Sequence, residues 1–413
     1  MFSTAALRVA NVALRGFAMG SKFVLIFVLA RLLEPAELGL YGLFAITVRF
    51  GTLLIGGDYY IYAQRELLSE DRQRWSFVLQ HQAIATGLLY LALLPTQLLL
   101  FRFDLLPGSL IVWFFLLLVF EHLAQEINRL LIVMGRPIIG SWIFFIRMGA
   151  WVWPLVAIMW LLPRARTLDA IFLAWLLGSA LAFALGMLAV IREAAPWRRW
   201  PLDYAWLKRG FGVALLFLTA TLCSNVMTTA DRYIVEALVG RDLLGVYVLY
   251  MSIAMAIVAF LDPAVFSFLY PRIVGAYRRG ELLAYRRLMK ELIWSSIALS
   301  LGLAILIALS APFVLRWTGR SLYVEHLPLL WVLLSVAVIH VIGMAPHYSL
   351  YVRGADRVIV LAHISALFVF AAVAVLVAPH APFYAPAYGL LAGFLWIGGL
   401  ELVWYRHLAR RMR

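Results

Sequence analysis

Charge is scarce in this sequence: Asp, Glu, Lys and Arg make up only 14% of its 413 residues, where a water-soluble domain carries about 25%. So few polar groups cannot cover a chain of this length in water, and an ordinary soluble enzyme is excluded. Cysteine occurs once, at Cys223 within an apolar run. A lone cysteine excludes an intramolecular disulfide and any multi-cysteine metal or cluster site. Lysine occurs only at Lys22, Lys208 and Lys290, so the positive charge is almost all arginine, the side chain suited to bidentate phosphate contacts.

What the sequence does have is hydrophobicity, with 65% hydrophobic residues and a mean hydropathy of +0.93. Divided into helices of roughly 20 residues, each crossing about 30 Å of hydrocarbon, this predicts about twelve spans. The windows fall at 11–32, 38–62, 76–101, 108–134, 138–162, 168–191, 210–233, 243–270, 291–316, 327–351, 357–378 and 384–405. The first contains Lys22 and no small-residue cleavage pattern follows it, so it reads as an uncleaved span.

The net charge of +14 would suggest nucleic acid in a soluble protein. In a polytopic one it has to be sorted by side. With the N-terminus inside, 24 of the 35 Lys and Arg residues fall in inside connections and 8 in outside ones. That bias predicts both termini in the cytoplasm. The outside links are all short, none exceeding roughly 15 residues, and leave no room there for a catalytic domain. The basic segments 192–209 and 271–291 suit anchoring on an anionic membrane surface or a regulatory contact.

The chain also repeats. Leu38-Gly39-Leu40-Tyr41 recurs as Leu244-Gly245-Val246-Tyr247, a shift of 206 residues, and Leu131 to Gly135 after span 4 matches Leu350 to Gly354 after span 10. Six spans separate equivalent points, so the halves share one orientation. That predicts an all-α fold of two pseudo-symmetric six-helix lobes around a central cavity: residues 1–200 with spans 1–6, and residues 201–413 with spans 7–12.

Ionisable residues within spans are costly and face the protein interior or water. Three basic ones are Lys22, Arg49 and Arg147, a set able to attract an anion and exclude cations. Lys22 continues a stripe of Arg8 and Arg15 at seven-residue spacing along one helix face. Snorkelling or structural ion pairing, for instance of Arg49 with Asp58, is the alternative reading. In span 4, Glu121, His122 and Glu126 form a titratable group, with His122, Glu126 and Arg129 on one helical face. A proton or ion relay and a purely structural polar network both fit this pattern. His340, His347 and His363 are further titratable candidates. The pattern His-Glu-x-x-His is absent, so no zinc-protease site is expected. Gly16 to Lys22 is one residue short of phosphate-loop spacing and sits in an apolar helix, so no nucleotide or other cofactor is expected.

The segment Leu33-Glu34-Pro35-Ala36-Glu37-Leu38-Gly39-Leu40-Tyr41, the run from Ala230-Asp231-Arg232-Tyr233 to Leu244-Gly245-Val246-Tyr247, Gly135 after span 4 and the twelve-span pattern together resemble the multidrug/oligosaccharidyl-lipid/polysaccharide exporter superfamily. Within it, the bacterial polysaccharide and O-antigen flippases are the nearer likeness. The resemblance implies a transporter of the bacterial inner membrane that flips an undecaprenyl-pyrophosphate-linked glycan outward by alternating access. Lys22, Arg49 and Arg147 would then bind the pyrophosphate, and Glu121, His122 and Glu126 would couple an ion. Membrane lipids, polysaccharide polymerases and glycosyltransferases are the implied partners, and nucleic acid is not. A membrane glycosyltransferase, polymerase or ligase, a drug/cation antiporter of the same superfamily, and a passive scaffold are the competing readings.

Overall fold

The computed structural model describes residues 4–69, 72–194 and 197–410, and among these it is helical without strands. This follows from the solvent: in hydrocarbon every backbone N–H and C=O must be satisfied within its own segment, which a helix does. In chain order the helices are α1 (Thr4–Leu32), α2 (Pro35–Gly56), α3 (Tyr59–Ser69), α4 (Trp75–Leu93), α5 (Leu99–Arg102), α6 (Ile111–Val133), α7 (Pro137–Phe145), α8 (Val152–Leu161) and α9 (Leu168–Glu193). The second half holds α10 (Tyr204–Val239), α11 (Arg241–Leu261), α12 (Ser267–Arg278), α13 (Leu282–Thr318), α14 (Ser321–Glu325), α15 (Leu327–Val352), α16 (Asp356–Val377) and α17 (Ala385–Arg410).

Eleven stretches among the described residues are long and apolar enough to cross a bilayer. The expected seventh span lies in α10, a 36-residue helix outside those eleven. The protein is a multi-pass, all-helical membrane protein. Residues 411–413, the expected cytoplasmic end with Arg411 and Arg413, and the side chain of Arg8 lie outside what is described.

The repeat has a local geometric basis. After α6, Gly135 turns left-handed at φ 80° and Arg136 N–H donates to the Leu131 carbonyl at 2.8 Å. After α15, Gly354 does the same at φ 69°, with Ala355 N–H donating to Leu350 at 3.0 Å. Each is a glycine-terminated helix end with a six-to-one hydrogen bond. The second long helix of each half is also interrupted. α2 stops at Gly56, and Gly57 and Asp58 take φ of 54° and 53° before α3 begins. The expected continuous span 38–62 is therefore broken. Between α11 and α12 a wide π-turn runs over Asp262–Phe266, starting 206 residues after Gly56.

Two compact units result: residues 1–25 with 44–222, and residues 26–43 with 223–413. In the first, Phe44, Phe114 and Phe172 are fully buried and their rings meet, Phe44 to Phe172 at 4.3 Å between centroids. Gly178 of α9 leaves space that Trp151 fills, and Gly186 of α9 does so for Ile127 of α6. In the second, α15, α16 and α17 pack through small residues, with Gly343 beside Gly398 and Gly389 against the Phe370 carbonyl. Close backbone approach through small residues is how helices associate where lipid removes the hydrophobic drive.

Candidate functional site

The polar residues of the first unit sort onto two faces of α6. Adjacent positions on a helix differ by about 100°, so Glu121 and His122 cannot share a partner set. Glu121 points at the turn after α7 and at α9. Its carboxylate accepts Arg147 Nη1 at 2.7 Å, the Trp175 indole N–H and Ser179 Oγ at 2.7 Å. Arg147 sits in a π-turn, Ile146–Ala150, where the extra residue displaces the guanidinium from the ordinary helical register. It is 8% exposed, and its buried Nε has no hydrogen-bond partner. The Trp151 indole donates back to the Arg147 carbonyl at 3.0 Å.

Lys22 of α1 completes this group. Its Nζ lies 4.2 Å from the Trp151 ring centroid and 5.0 Å from that of Trp175, and the two rings are nearly parallel, at 11°. An ammonium over tryptophan faces is held by the ring quadrupole, and it interacts electrostatically with both Glu121 and Arg147. Gly149 lets α1 close on the π-turn, since a Cβ there would lie 2.9 Å from Ala18 Cα and 3.1 Å from Ser21 Oγ. The cluster thus holds two cations and one anion. Trp153 N–H donates to Ser21 at 3.0 Å, fixing its rim. Further along α1, Arg15 donates to Ser141 at 3.3 Å and lies over Phe144.

The second face of α6 looks toward α3 and α4. His122 Nδ1 meets the Tyr90 hydroxyl at 2.8 Å, and its Nε2 fills the space left by Gly56. Nε2 is 4.0 Å from Glu126 Oε1. Glu126 is held by Arg129 at 2.6 Å and Gln82 at 3.1 Å, and the Arg129 guanidinium lies 3.7 Å from the Tyr60 ring centroid. Asp58, buried at the break after α2, also lies within electrostatic reach of Arg129 and Glu126.

Of the six expected site residues, the structure brings Lys22, Arg147 and Glu121 into one cluster and His122 with Glu126 into another. Arg49 belongs to neither. Its side chain is exposed on α2, and its carbonyl accepts the Thr52 hydroxyl.

Sequence reasoning passed over the residues that organise these groups. Trp151, Trp175 and Ser179 carry no motif, and only the packing of α7 and α9 against α6, and of α8 against α9, selects them. Glu401 was legible by the rule that singled out Glu121, being an acid in an apolar run. In the second unit it is fully buried, meets His347 Nδ1 at 3.0 Å, and has a buried Oε2 without a partner. His363 lies edge-on to His347 at 5.8 Å and His340 packs 4.4 Å from Phe394, centroid to centroid. Asp231, also fully buried, accepts the Tyr247 hydroxyl at 2.9 Å and Arg232 at 3.0 Å. Outside the spans, two hydrogen bonds from Arg320 hold the Glu34 carboxyl below the usual carboxylate range. Among the described residues no group of acidic, histidine or cysteine side chains is placed to hold a metal ion.

No protein-family profile and no curated protein matches this chain. Solved structures do match in fold. A multidrug resistance MATE family transporter of the MOP superfamily, inward-facing, superposes with a TM-score of 0.73 at 15% identity, over 97% of both chains. The lipid II flippase MurJ in an inward closed conformation gives 0.74 at 12% identity, over 95% of this chain and 87% of that one. An outward-facing MATE transporter gives 0.66 at 16% identity, over 98% and 96%. The chain has the two-lobe fold of these transporters.

Proposed function

We propose that the protein is a flippase that moves an undecaprenyl-pyrophosphate-linked oligosaccharide from the cytoplasmic to the outer leaflet of the bacterial inner membrane. Residues 1–200 and 201–413 act as its two lobes, with both termini cytoplasmic. The observation that carries this reading is the cluster of Lys22, Arg147 and Glu121, which has one more cation than anion. A bare diphosphate cannot cross about 30 Å of hydrocarbon. A site with excess positive charge lowers that barrier and repels cationic drugs.

The geometry also suggests how the grip stays moderate. Arg147 is engaged by Glu121, so an incoming phosphate exchanges one anionic partner for another instead of meeting an empty guanidinium. Trp175 and Ser179 keep Glu121 hydrogen-bonded during that exchange. Lys22 rests on ring faces, a contact worth about 0.5–2 kcal/mol, and is readily recruited. Arg49, exposed on α2, supplies a further charge on the way. Release then follows when the protein changes state and the substrate binds the new state less well.

Reconstitution in vesicles with an undecaprenyl-pyrophosphate glycan and an assay for sugar accessibility tests this. Lys22→Gln and Arg49→Ala should each slow flipping sharply, with normal membrane insertion, and Arg49→Lys should retain part of the rate. A neutral triple variant at Lys22, Arg49 and Arg147 that flips at the normal rate would falsify the proposal.

Glu401 favours one other reading, a drug/cation antiporter. A fully buried carboxylate with an unpartnered oxygen and one histidine neighbour suits binding of a proton or cation. In the same vesicles, uptake of a cationic dye that Glu401→Gln abolishes would favour the antiporter. Glycan flipping that survives Glu401→Gln would favour the flippase.

A further inference from the structure

Residues 197–203 form an extended strap laid along the first turns of α4, and side chains of α4 pin its backbone. Gln80 donates its amide to the Trp200 carbonyl at 2.8 Å and accepts the Trp200 N–H at 3.0 Å. Ser76 accepts the Trp200 indole at 2.9 Å. His81, fully buried, accepts the Asp203 N–H on Nε2 at 2.9 Å, which leaves Nδ1 to donate to the Phe77 carbonyl at 2.8 Å. Asp203 then caps α10 through the Trp206 N–H at 2.8 Å.

This anchoring fixes the outer edge of the strap over a groove of about 560 Å³, walled by Leu79, Ala83 and Ile84 of α4 and by Trp197, Arg198 and Arg199. Trp197 is 48% exposed. Both arginines are exposed, and neither has an ion pair among the described residues; Arg198 lies 4.8 Å from the Trp200 ring centroid. The helix-borne wall lies toward the N-terminal end of the span Arg72–Arg102, roughly 6–13 Å along the helix from Trp75. Charge at the rim and an apolar wall beneath it match the profile of one membrane leaflet.

We infer that this groove binds an anionic phospholipid, with the phosphate on Arg198 and Arg199, an acyl chain against Leu79, Ala83 and Ile84, and Trp197 at the interface between them. Loose electrostatic anchoring needs no ordered strap, since a disordered basic loop serves it equally. Here Gln80, Ser76 and His81 hold the arginine pair in one place. A lipid-linked glycan fits less well: among the described lining residues Gln80 is the one amide, and both its ends are engaged by Trp200, which leaves the Trp197 indole as the one uncharged donor for a sugar. The inference is independent of the transported substrate.

The test is native mass spectrometry of the full chain in detergent, titrated with phosphatidylglycerol or phosphatidylcholine of the same acyl composition. Wild type should retain the anionic lipid about thirtyfold better, from two basic contacts at roughly 1 kcal/mol each. Arg198→Gln with Arg199→Gln should remove that preference, because the strap is pinned through the Trp200 and Asp203 backbone and stays in place. Ala83→Trp, which fills the groove and keeps both arginines, should remove it too. Arg286→Gln with Lys290→Gln, exposed and distant in sequence, should leave it intact. Equal loss from that distant pair, or full retention in Ala83→Trp, would mean diffuse attraction and overturn the site. Displacement of the retained lipid by equimolar undecaprenyl pyrophosphate would overturn the choice of ligand and give the groove to a lipid diphosphate.

Discussion

Gly39 and Gly245, 206 residues apart and equivalent in the repeat, close on the same helix contact within one unit. A Cβ on Gly39 would stand 2.5 Å from the Arg241 carbonyl oxygen and 2.9 Å from Gly245 N, and a Cβ on Gly245 would collide with the Pro35 carbonyl. The start of α2 meets the start of α11 with no side chain between them. The Leu-Gly-x-Tyr motif therefore recurs because both copies serve one close backbone crossing.

Gly39→Ala and Gly245→Ala should each lower stability by about 1–3 kcal/mol, the cost of overpacking, because the obstacle is backbone. Gly302→Ala makes the opposite case. Nothing lies within 4 Å of a Cβ there, and a helical glycine replaced by alanine gains roughly 0.5–1 kcal/mol. Thermal unfolding in detergent reads both signs, and unchanged midpoints for Gly39→Ala and Gly245→Ala would refute the crossing.

Arg147→Met leaves the Glu121 carboxylate buried beside only Trp175, Ser179 and Lys22. Breaking a buried pair costs about 3–5 kcal/mol, so Arg147→Met and Glu121→Leu should each be strongly destabilised. The double variant should recover most of the loss. A thermal double-mutant cycle with no coupling would mean that the pair is not formed.

His122 and Glu126 share a face of α6 and lie 4.0 Å apart. Should they serve ion coupling, Glu126→Gln will flatten the dependence of transport on pH while the hydrogen bond from Gln82 preserves the fold. Normal transport by Glu126→Gln at every pH and gradient would make the cluster structural.

The Glu34–Arg320 clamp, with bonds of 2.5 and 3.1 Å, joins the turn before α2 to the start of α14. Its carboxyl titrates below the ordinary value of 4.5. The stabilisation is therefore fully present above about pH 4.5 and disappears as pH falls through the lowered value. Wild type should exceed Glu34→Gln in stability at neutral pH, and the two should converge in acid. The pair is exposed, so the gap should be small and shrink in high salt. A gap that persists in acid would show that the clamp is not electrostatic.

Hydrophobicity and length alone determined the spans, because hydrocarbon admits few backbone solutions other than a helix. The repeated turns were legible too, since glycines such as Gly135 and Gly354 are demanded by left-handed backbone wherever the sequence places them. The same rules picked out Lys22, Glu121, His122, Glu126 and Arg147 as costly intramembrane groups. Periodicity did not reveal which of them meet. Glu121 and His122 are chain neighbours, yet one belongs with Arg147 and the other with Tyr90, because different helices pack on the two faces of α6. The break at Gly57 and Asp58, the π-turn carrying Arg147, the tryptophan pair beside Lys22 and the burial of Glu401 against His347 were decided by tertiary structure. Each depends on contacts between segments tens of residues apart, and helical pattern along one segment carries no record of what lies across from it.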